Sequence, residues 1–397
     1  MPAVSQPRRQ VLGLVFATLL ALRGRVNFRT LSRSCAYSER PRARQLRRRC
    51  DWPDFPQRVM TAARDPRSAL ISAQDASFIP KSGKQTFGLG HFFNGCANRA
   101  ERGLEISTLA VVEVTRRCAV TLAVAQTPPG DEDRVPSPDA EETRVACYKQ
   151  QLRAQRQRLP QSVQYHCGDG YFAKKQYIDE VVRLGLQPIT KLRCDANCLF
   201  LSAGPHPQRR GPKRKYDGKV NFHALRRFAD LGPLADTPQV QLYTARVWHV
   251  SLKRQLRVVV LVNRKDPHKP RFIVLASTEL ALAGRRLVEC YVARFQIEFL
   301  FRDSQQFTGL SDCQARAAAA LDFHFTASLA TFNLARAEEV RASPDLSPQV
   351  FSMASWKPCH FTERLLDLLI ESLALDPTWV NNQPGYDELR TYGAIAA

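Results

Sequence analysis

The segment YVARFQIEFLFRDSQQ, Tyr291 to Gln306, is mostly apolar and aromatic, yet it carries Arg294, Glu298 and Arg302 among its large side chains. Read as one helix, it puts Tyr291, Arg294, Glu298, Arg302 and Gln305 within about 80° of arc, with Ile297, Leu300 and Phe301 on faces that can pack. One reading is a surface stripe in which Arg294 and Glu298 form an ordinary i,i+4 pair. The other is catalytic, and it needs further carboxylates that can meet Glu298. Asp75 and Asp169 are the candidates. Each closes an apolar run, ALISAQD and VQYHCGD, and is followed by small or glycine residues. Gly168 and Gly170 would let a ligand approach the backbone closely. Two strand-end aspartates and a helix glutamate would supply hard oxygen ligands for Mg²⁺. Clustered carboxylates raise each other's pKa, a conflict that divalent cations resolve. Two such ions can activate an attacking water and stabilise the leaving oxygen of a phosphodiester. Arg294 and Arg302 would then grip neighbouring phosphates.

The elements that must position these residues follow from the apolar pattern. ALISAQD, GLEISTLAVVEV and CAVTLAVAQ read as three strands, the last two joined by the tight link TRR. A helix is predicted from Pro138 to about Arg158, with Ser137 as its N-cap. The strand VQYHCGDGYF, a helix over Ala173–Leu184 and the strand LQPITKLR follow. The strands QLYTARVWHVSL and LRVVVLVN lie in a segment of shifted composition. RFIVLASTE then returns to the buried-strand style, ahead of the charged helix. A mixed α/β fold results, with a mixed sheet covered by helices. The expected organisation is a basic helical region over 1–62, a catalytic unit over 63–193 and 271–340, a β-rich basic insertion over 194–270, and a helical tail over 341–397.

The chain has 397 residues, with 58 Lys and Arg against 37 Asp and Glu, for a net charge of +21 and a pI near 9.9. That excess calls for a polyanionic partner, nucleic acid or an anionic membrane surface. RPRARQLRRRC packs six Arg into 11 residues. It reads as a DNA-backbone contact or as a solvated tail. The 11 Cys are odd in number and scattered, which argues for a reduced intracellular compartment rather than a disulfide framework. VLGLVFATLLAL, Val11–Leu22, is too short to span a bilayer and reads as a buried helix, so a soluble protein with no membrane partner is expected. PKSGKQ lacks the Ser/Thr and upstream Gly of a P-loop, GLGHFFNG has the wrong spacing for a dinucleotide fold, and no GxSxG appears.

With these residues in place, YVARFQIEFLFRDSQQFTGL resembles the Y-x2-R-x3-E-x6-K signature of bacterial insertion-sequence transposases of the DDE superfamily, with Tyr291, Arg294 and Glu298 matching. The block DASFIPKSGKQTFGLGHFFNGCANRAERGLEIS is similar to the family's first-Asp block, GDGYF to its second, and KRKYDGKV to its basic insertion segment. The resemblance runs from about residue 10 to the C-terminus. It implies an RNase H-like catalytic domain with a β-rich insertion. It also implies a catalytic and metal-binding triad of Asp75, Asp169 and Glu298 with two Mg²⁺ or Mn²⁺ ions. Water would attack the phosphodiester at the element end, and the freed 3′-hydroxyl would attack target DNA. Tyr291 and Arg294 would contact double-stranded DNA near the cut. The expected form is a homodimer on paired ends, cytoplasmic and associated with the nucleoid. Arg209, Arg210, Lys213, Arg214 and Lys215 would lie along phosphates or form a solvated loop; Trp248 would stack on an unpaired base or be structural. One departure stands out. The signature lysine falls on Gln305, where the missing phosphate interaction would cost on the order of 1–3 kcal/mol. Either Arg302 compensates from the same helix face, or the chain is a catalytically weakened, DNA-binding copy.

Overall fold

Strands β1 (Leu70–Pro80) and β3 (Arg99–Glu113) are rich in small and branched apolar residues and pair antiparallel along the whole of β1, from Leu70↔Glu113 to Pro80↔Gly103. Every residue of β3 from Gly103 to Glu113 is buried. Such a run has no polar alternation because helices cover both faces of the sheet. The computed structural model describes residues 6–26, 30–31, 54–63, 68–129, 138–202, 214–266, 271–342 and 351–394. The Arg-rich run over 40–50 and the cap Ser137 lie outside the described residues.

The other edge of β3 pairs with the short β2 (Gly90–Asn94) and then with β4 (Cys118–Gln126), reached through a link that turns at Arg117, φ 53°. On its far side β1 pairs in parallel with β5 (Tyr165–Gly168), which pairs in parallel with β6 (Gln187–Leu192). An antiparallel meander β4-β3-β1 therefore continues as the parallel set β1-β5-β6, an RNase H-like arrangement. β12 (Arg271–Ser277) then pairs with β6, and β11 (Arg254–Asn263), β10 (Thr237–His249), β7 (Cys198–Leu201) and β8 (Tyr216–Lys219) extend the sheet, with β9 (Ala229–Leu234) beside β10. The strands of the 194–270 segment thus join the same 12-stranded sheet.

On one face, α3 (Pro138–Gln155) and α4 (Lys175–Arg183) pack on Leu70, Leu109, Val111 and Val120. On the other, Ile71, Ala73, Cys167 and Ile189 share a core with α5 (Gly284–Ala293), α6 (Gln296–Phe307) and α7 (Ala318–Ala342). Sequence periodicity gives no hint of α7, because apolar and small residues run nearly all round it. Helix α1 (Gln6–Ala21) belongs to this side, its Leu12, Val15, Phe16 and Leu19 packing with Phe323, Ala327 and Ala330 of α7, while α2 (Asp54–Ala63) puts Val59 into the core shared with α3 and α4. The apolar run over Val11–Leu22 is therefore a buried helix, and no helix among the described residues is long and apolar enough to cross a membrane. Within the stretch expected as a helical tail lie α8 (Met353–Ser372) and two short helices, α9 (Pro377–Asn381) and α10 (Tyr386–Arg390).

Candidate active site

Period-two alternation puts Ile71, Ala73, Asp75 and Ser77 on one face of β1 and Ser72, Gln74 and Ala76 on the other. Asp75 does not end its strand, as the sequence suggested: β1 runs on to Pro80. The parallel register aligns Ile71 with Tyr165 and Ala73 with Cys167. Both aspartates lie just beyond these registered pairs, close enough for the Asp169 charge to raise the Asp75 pKa. β5 stops at Gly168, and Asp169 turns the chain. Its Oδ1 accepts the Tyr171 N–H at 2.9 Å, capping a short 3-10 turn over Gly170–Phe172, and its carbonyl accepts the Thr190 hydroxyl at 2.7 Å. Gly168 is needed for packing rather than for ligand approach. A Cβ there would stand 2.8 Å from Cβ of Phe172.

Glu298 arrives on the helical pair α5–α6. The sequence suggests one helix through Tyr291 and Gln305, but the chain breaks at Arg294 and Phe295. Both residues keep right-handed helical dihedrals, while the bonds Phe295 N to Val292 O, Ile297 N to Arg294 O and Glu298 N to Phe295 O skip only three residues. This overwinding changes the phase of the second segment. The expected stripe splits accordingly: Tyr291 and Arg294 are buried, Glu298 and Arg302 are exposed, and Gln305 is half-buried.

Arg294 lies at the centre. The residue is 3% exposed, and its guanidinium donates to Asp75 Oδ2 at 2.9 Å and to Glu298 Oε1 at 2.7 Å. The rings of Tyr291 and Phe295 flank it, 5.4 and 4.9 Å from Cζ. Burial works against its charge, but Asp75, Tyr291 and Glu298 together hold its pKa above the ordinary arginine value. The two ends of one guanidinium therefore tie together two acids 223 positions apart in the chain. Even so, Asp75 keeps its proton up to about pH 7. Burial pushes its pKa up to about 7, Arg294 opposes this, and the charges of Asp169 and Glu298 add to it. Burial likewise pushes the Tyr291 hydroxyl up to about 12.

The charges of Asp169 and Glu298 thus both reach Asp75. Among the described residues, no group of three or more His, Cys, Asp or Glu is gathered closely enough to hold a metal ion. Asp75 and Asp169 offer hard oxygen donors, and a divalent cation would stabilise the Asp75 carboxylate that burial keeps protonated. Glu298 is turned to Arg294 and would have to release it to complete the set.

The remaining candidates lie at varied distances from this centre. Gln305 donates to the Ser77 hydroxyl at 3.3 Å, one step along the Asp75 face of β1. Arg302 pairs with Asp303 at 2.8 Å and lies over the Phe299 ring. Arg214 and Lys215 are exposed beside β8, seven strands from β1. Arg209, Arg210 and Lys213 lie outside the described residues. Trp248 is half-buried against Tyr216, ring centroids 5.8 Å apart.

Behind Asp75, on the opposite face, a buried polar network escaped the sequence reading. Gln74 accepts from the Tyr177 hydroxyl at 2.5 Å and donates to Gln151 at 2.8 Å; His166 bridges Tyr177, at 2.7 Å, and Ser72, at 2.9 Å. Since Tyr177 donates to Gln74, it accepts from His166 Nε2–H, and Nδ1 accepts from Ser72. Burial lowers the His166 pKa to about 3, so the ring stays neutral. The signal available in the sequence was the polar pair Ser72 and Gln74 inside an apolar strand.

The sequence matches the profile of a family described as DDE superfamily endonuclease over residues 15–254, which is 240 of 397 positions. That span includes Asp75 and Asp169 and stops short of Glu298. No curated protein matches the chain. Among solved structures, it is similar to a piggyBac transposase in a synaptic complex with hairpin DNA, at 11% identity and a TM-score of 0.43, over 99% of this chain and 77% of that one.

Proposed function

Because the chain belongs to the DDE superfamily endonucleases, we propose that it is a DNA transposase of the insertion-sequence type, hydrolysing phosphodiesters at element ends and joining the freed 3′-hydroxyl to target DNA. What supports this reading most is that Asp169 lies close enough to Asp75 for its charge to act on that carboxyl, with Glu298 tied to Asp75 through Arg294. In this reading Asp75, Asp169 and, once released from Arg294, Glu298 would hold two Mg²⁺ or Mn²⁺ ions, which would supply Lewis-acid activation of water and of the leaving oxygen. Arg294 keeps two of the acids facing each other beforehand and limits their repulsion. Once Glu298 turns away, one end of the guanidinium is free to meet a phosphate. In this reading Tyr291, Arg302 and Gln305 would also contact DNA near the cut. The net charge of +21 draws double-stranded DNA to the chain, which acts as a homodimer on paired ends within the nucleoid.

The second reading, a weakened copy that binds DNA, rests on Gln305, whose amide donates to a neutral serine where the signature has a cation. A strand-nicking assay on a supercoiled plasmid separates the two. The first reading expects Mg²⁺- or Mn²⁺-dependent nicking that Asp169→Asn and Glu298→Gln abolish without loss of DNA binding. Binding without nicking, restored by Gln305→Lys, supports the second. Nicking that survives both acid substitutions overturns the assignment of the site.

A further inference from the structure

The antiparallel register of β10 and β11 sets Arg246 directly opposite Arg257. Like charges in that position repel and weaken the strand pairing. No Asp or Glu among the described residues is ion-paired with either one, and the Arg257 Nε–H is buried without an acceptor. Burial lowers the Arg257 pKa and the Arg246 charge lowers it further, with no acid to offset them. Leu256 and Val258, beside Arg257, and Val247, beside Arg246, are buried in the core on one face of these strands. Alternation turns both arginines to the other face. On that face Leu242 and Val259 of the same two strands share a core with Ile71 and Ala73 of β1, so it is the Asp75 face of the sheet. The registered pairs run without a break from Ala73 through Cys167, Ile189 and Ser277 to Arg257 and Arg246. Four strand steps of about 4.8 Å put Arg257 roughly 20 Å from Asp75. Farther out on the same face, Trp248 aligns with Leu199 and Leu199 with the exposed Lys219. Cations without acid partners, set in file from the acids towards Lys219, fit a polyanion better than one small anion.

We propose that Arg246 and Arg257, opposed across β10 and β11 on the Asp75 face, together clamp one backbone phosphate of bound DNA. This rests on the reading of the chain as an enzyme that acts on DNA. At about 3.4 Å per base pair, the clamped phosphate lies roughly six base pairs from the bond held at the acids. Each guanidinium offers parallel N–H donors that match phosphate oxygens. Two of them on neighbouring strands hold the phosphate from both sides, and its charge cancels the repulsion that the free protein carries between β10 and β11. The buried Arg257 Nε–H lies within this pair, and Lys219 takes the backbone further out.

The test is the salt dependence of binding, measured by fluorescence anisotropy with the full chain and a long duplex of arbitrary sequence, for Arg246→Gln, Arg257→Gln and the double variant. Each single substitution should weaken binding a few-fold and leave the salt slope nearly unchanged, because the remaining arginine still neutralises the phosphate. The double variant should weaken binding by about tenfold or more and lower the slope by about one unit. A slope that drops by about one unit in each single variant means two separate phosphates, and an unchanged slope in the double variant means none; either result overturns the clamp. The Tm of the free protein provides the second measurement. It should hold or rise in the variants, because each removes a repulsion. A fall in Tm in both single variants assigns the arginines to the fold and also overturns the proposal. Wild-type protein that neither binds nor nicks DNA would remove the underlying reading as well, whereas wild-type nicking with an unchanged slope in the double variant removes the clamp alone.

Discussion

Arg294 serves two carboxylates from a buried position, and its removal has a calculable direction. Breaking a buried ion pair by deleting one partner costs about 3–5 kcal/mol. The cost is smaller here, because Asp75 can take up a proton and the Glu298 side chain is 47% exposed. Arg294→Gln should therefore lose about 2–3 kcal/mol in urea unfolding at pH 8, and less at pH 5.5, where Asp75 is protonated. Equal losses at both pH values would contradict the bridging role. Asp75 carries its own pH signature in metal-free protein. Its folded pKa of about 7 exceeds the ordinary 3.8, so between these values the folded chain holds a proton that the unfolded chain lacks. Its contribution to stability is present below about pH 4 and is lost as pH rises through 7. Asp75→Asn should flatten that decline and gain on the wild type by about 2–4 kcal/mol at pH 8. Added Mg²⁺ should raise the wild-type Tm more at pH 8 than at pH 5.5, and should do so only weakly in Asp75→Asn.

The elements place these residues through a short and well-anchored pairing. β1 and β5 share only three registered pairs, and the Gln74–Tyr177–His166–Ser72 network pins them from behind. The turn that carries Asp169 depends on Phe172 lying over Gly168. Gly168→Ala should overpack this point, costing about 1–3 kcal/mol and displacing Asp169, so nicking should fall with stability. Gly170→Ala meets only the Lys191 carbonyl at 3.5 Å and should be tolerated. Similar behaviour of the two variants would show that backbone access, not packing, is what the glycines provide. The sequence made the strands legible because long apolar runs survive burial on both faces; CAVTLAVAQ is β4 to the residue. It also showed which carboxylates close or punctuate those runs. It could not show the helix break at Arg294 and Phe295, because neither residue is a Gly or Pro and both keep helical dihedrals. The inward turn of Arg294 was hidden by that break, since phase counted on a continuous helix put it beside Glu298 on a surface stripe. α7 was illegible for the opposite reason: a helix buried nearly all round has no amphipathic period to read.

At the scale of the whole molecule, one sheet joins the acids to the basic segment. Seven strand steps separate β1 from β8, so at about 4.8 Å each Arg214 and Lys215 stand roughly 30 Å from Asp75. Duplex DNA rises about 3.4 Å per base pair, so a duplex lying along the sheet from the acids would reach them after roughly ten base pairs. Their contribution should then depend on substrate length. Replacing both by Ala should weaken binding about equally across sequences and lower the salt slope by nearly one unit for each phosphate left without its cation, with nicking unchanged at saturating DNA. On duplexes that end within about eight base pairs of the cut, the same replacement should cost nothing, because no phosphate extends beneath these side chains. Fluorescence anisotropy with a series of shortened duplexes measures both quantities. A penalty that persists on the shortest duplexes would place the basic segment next to the cleavage site, and an unchanged salt slope on the longest would return it to a solvated loop.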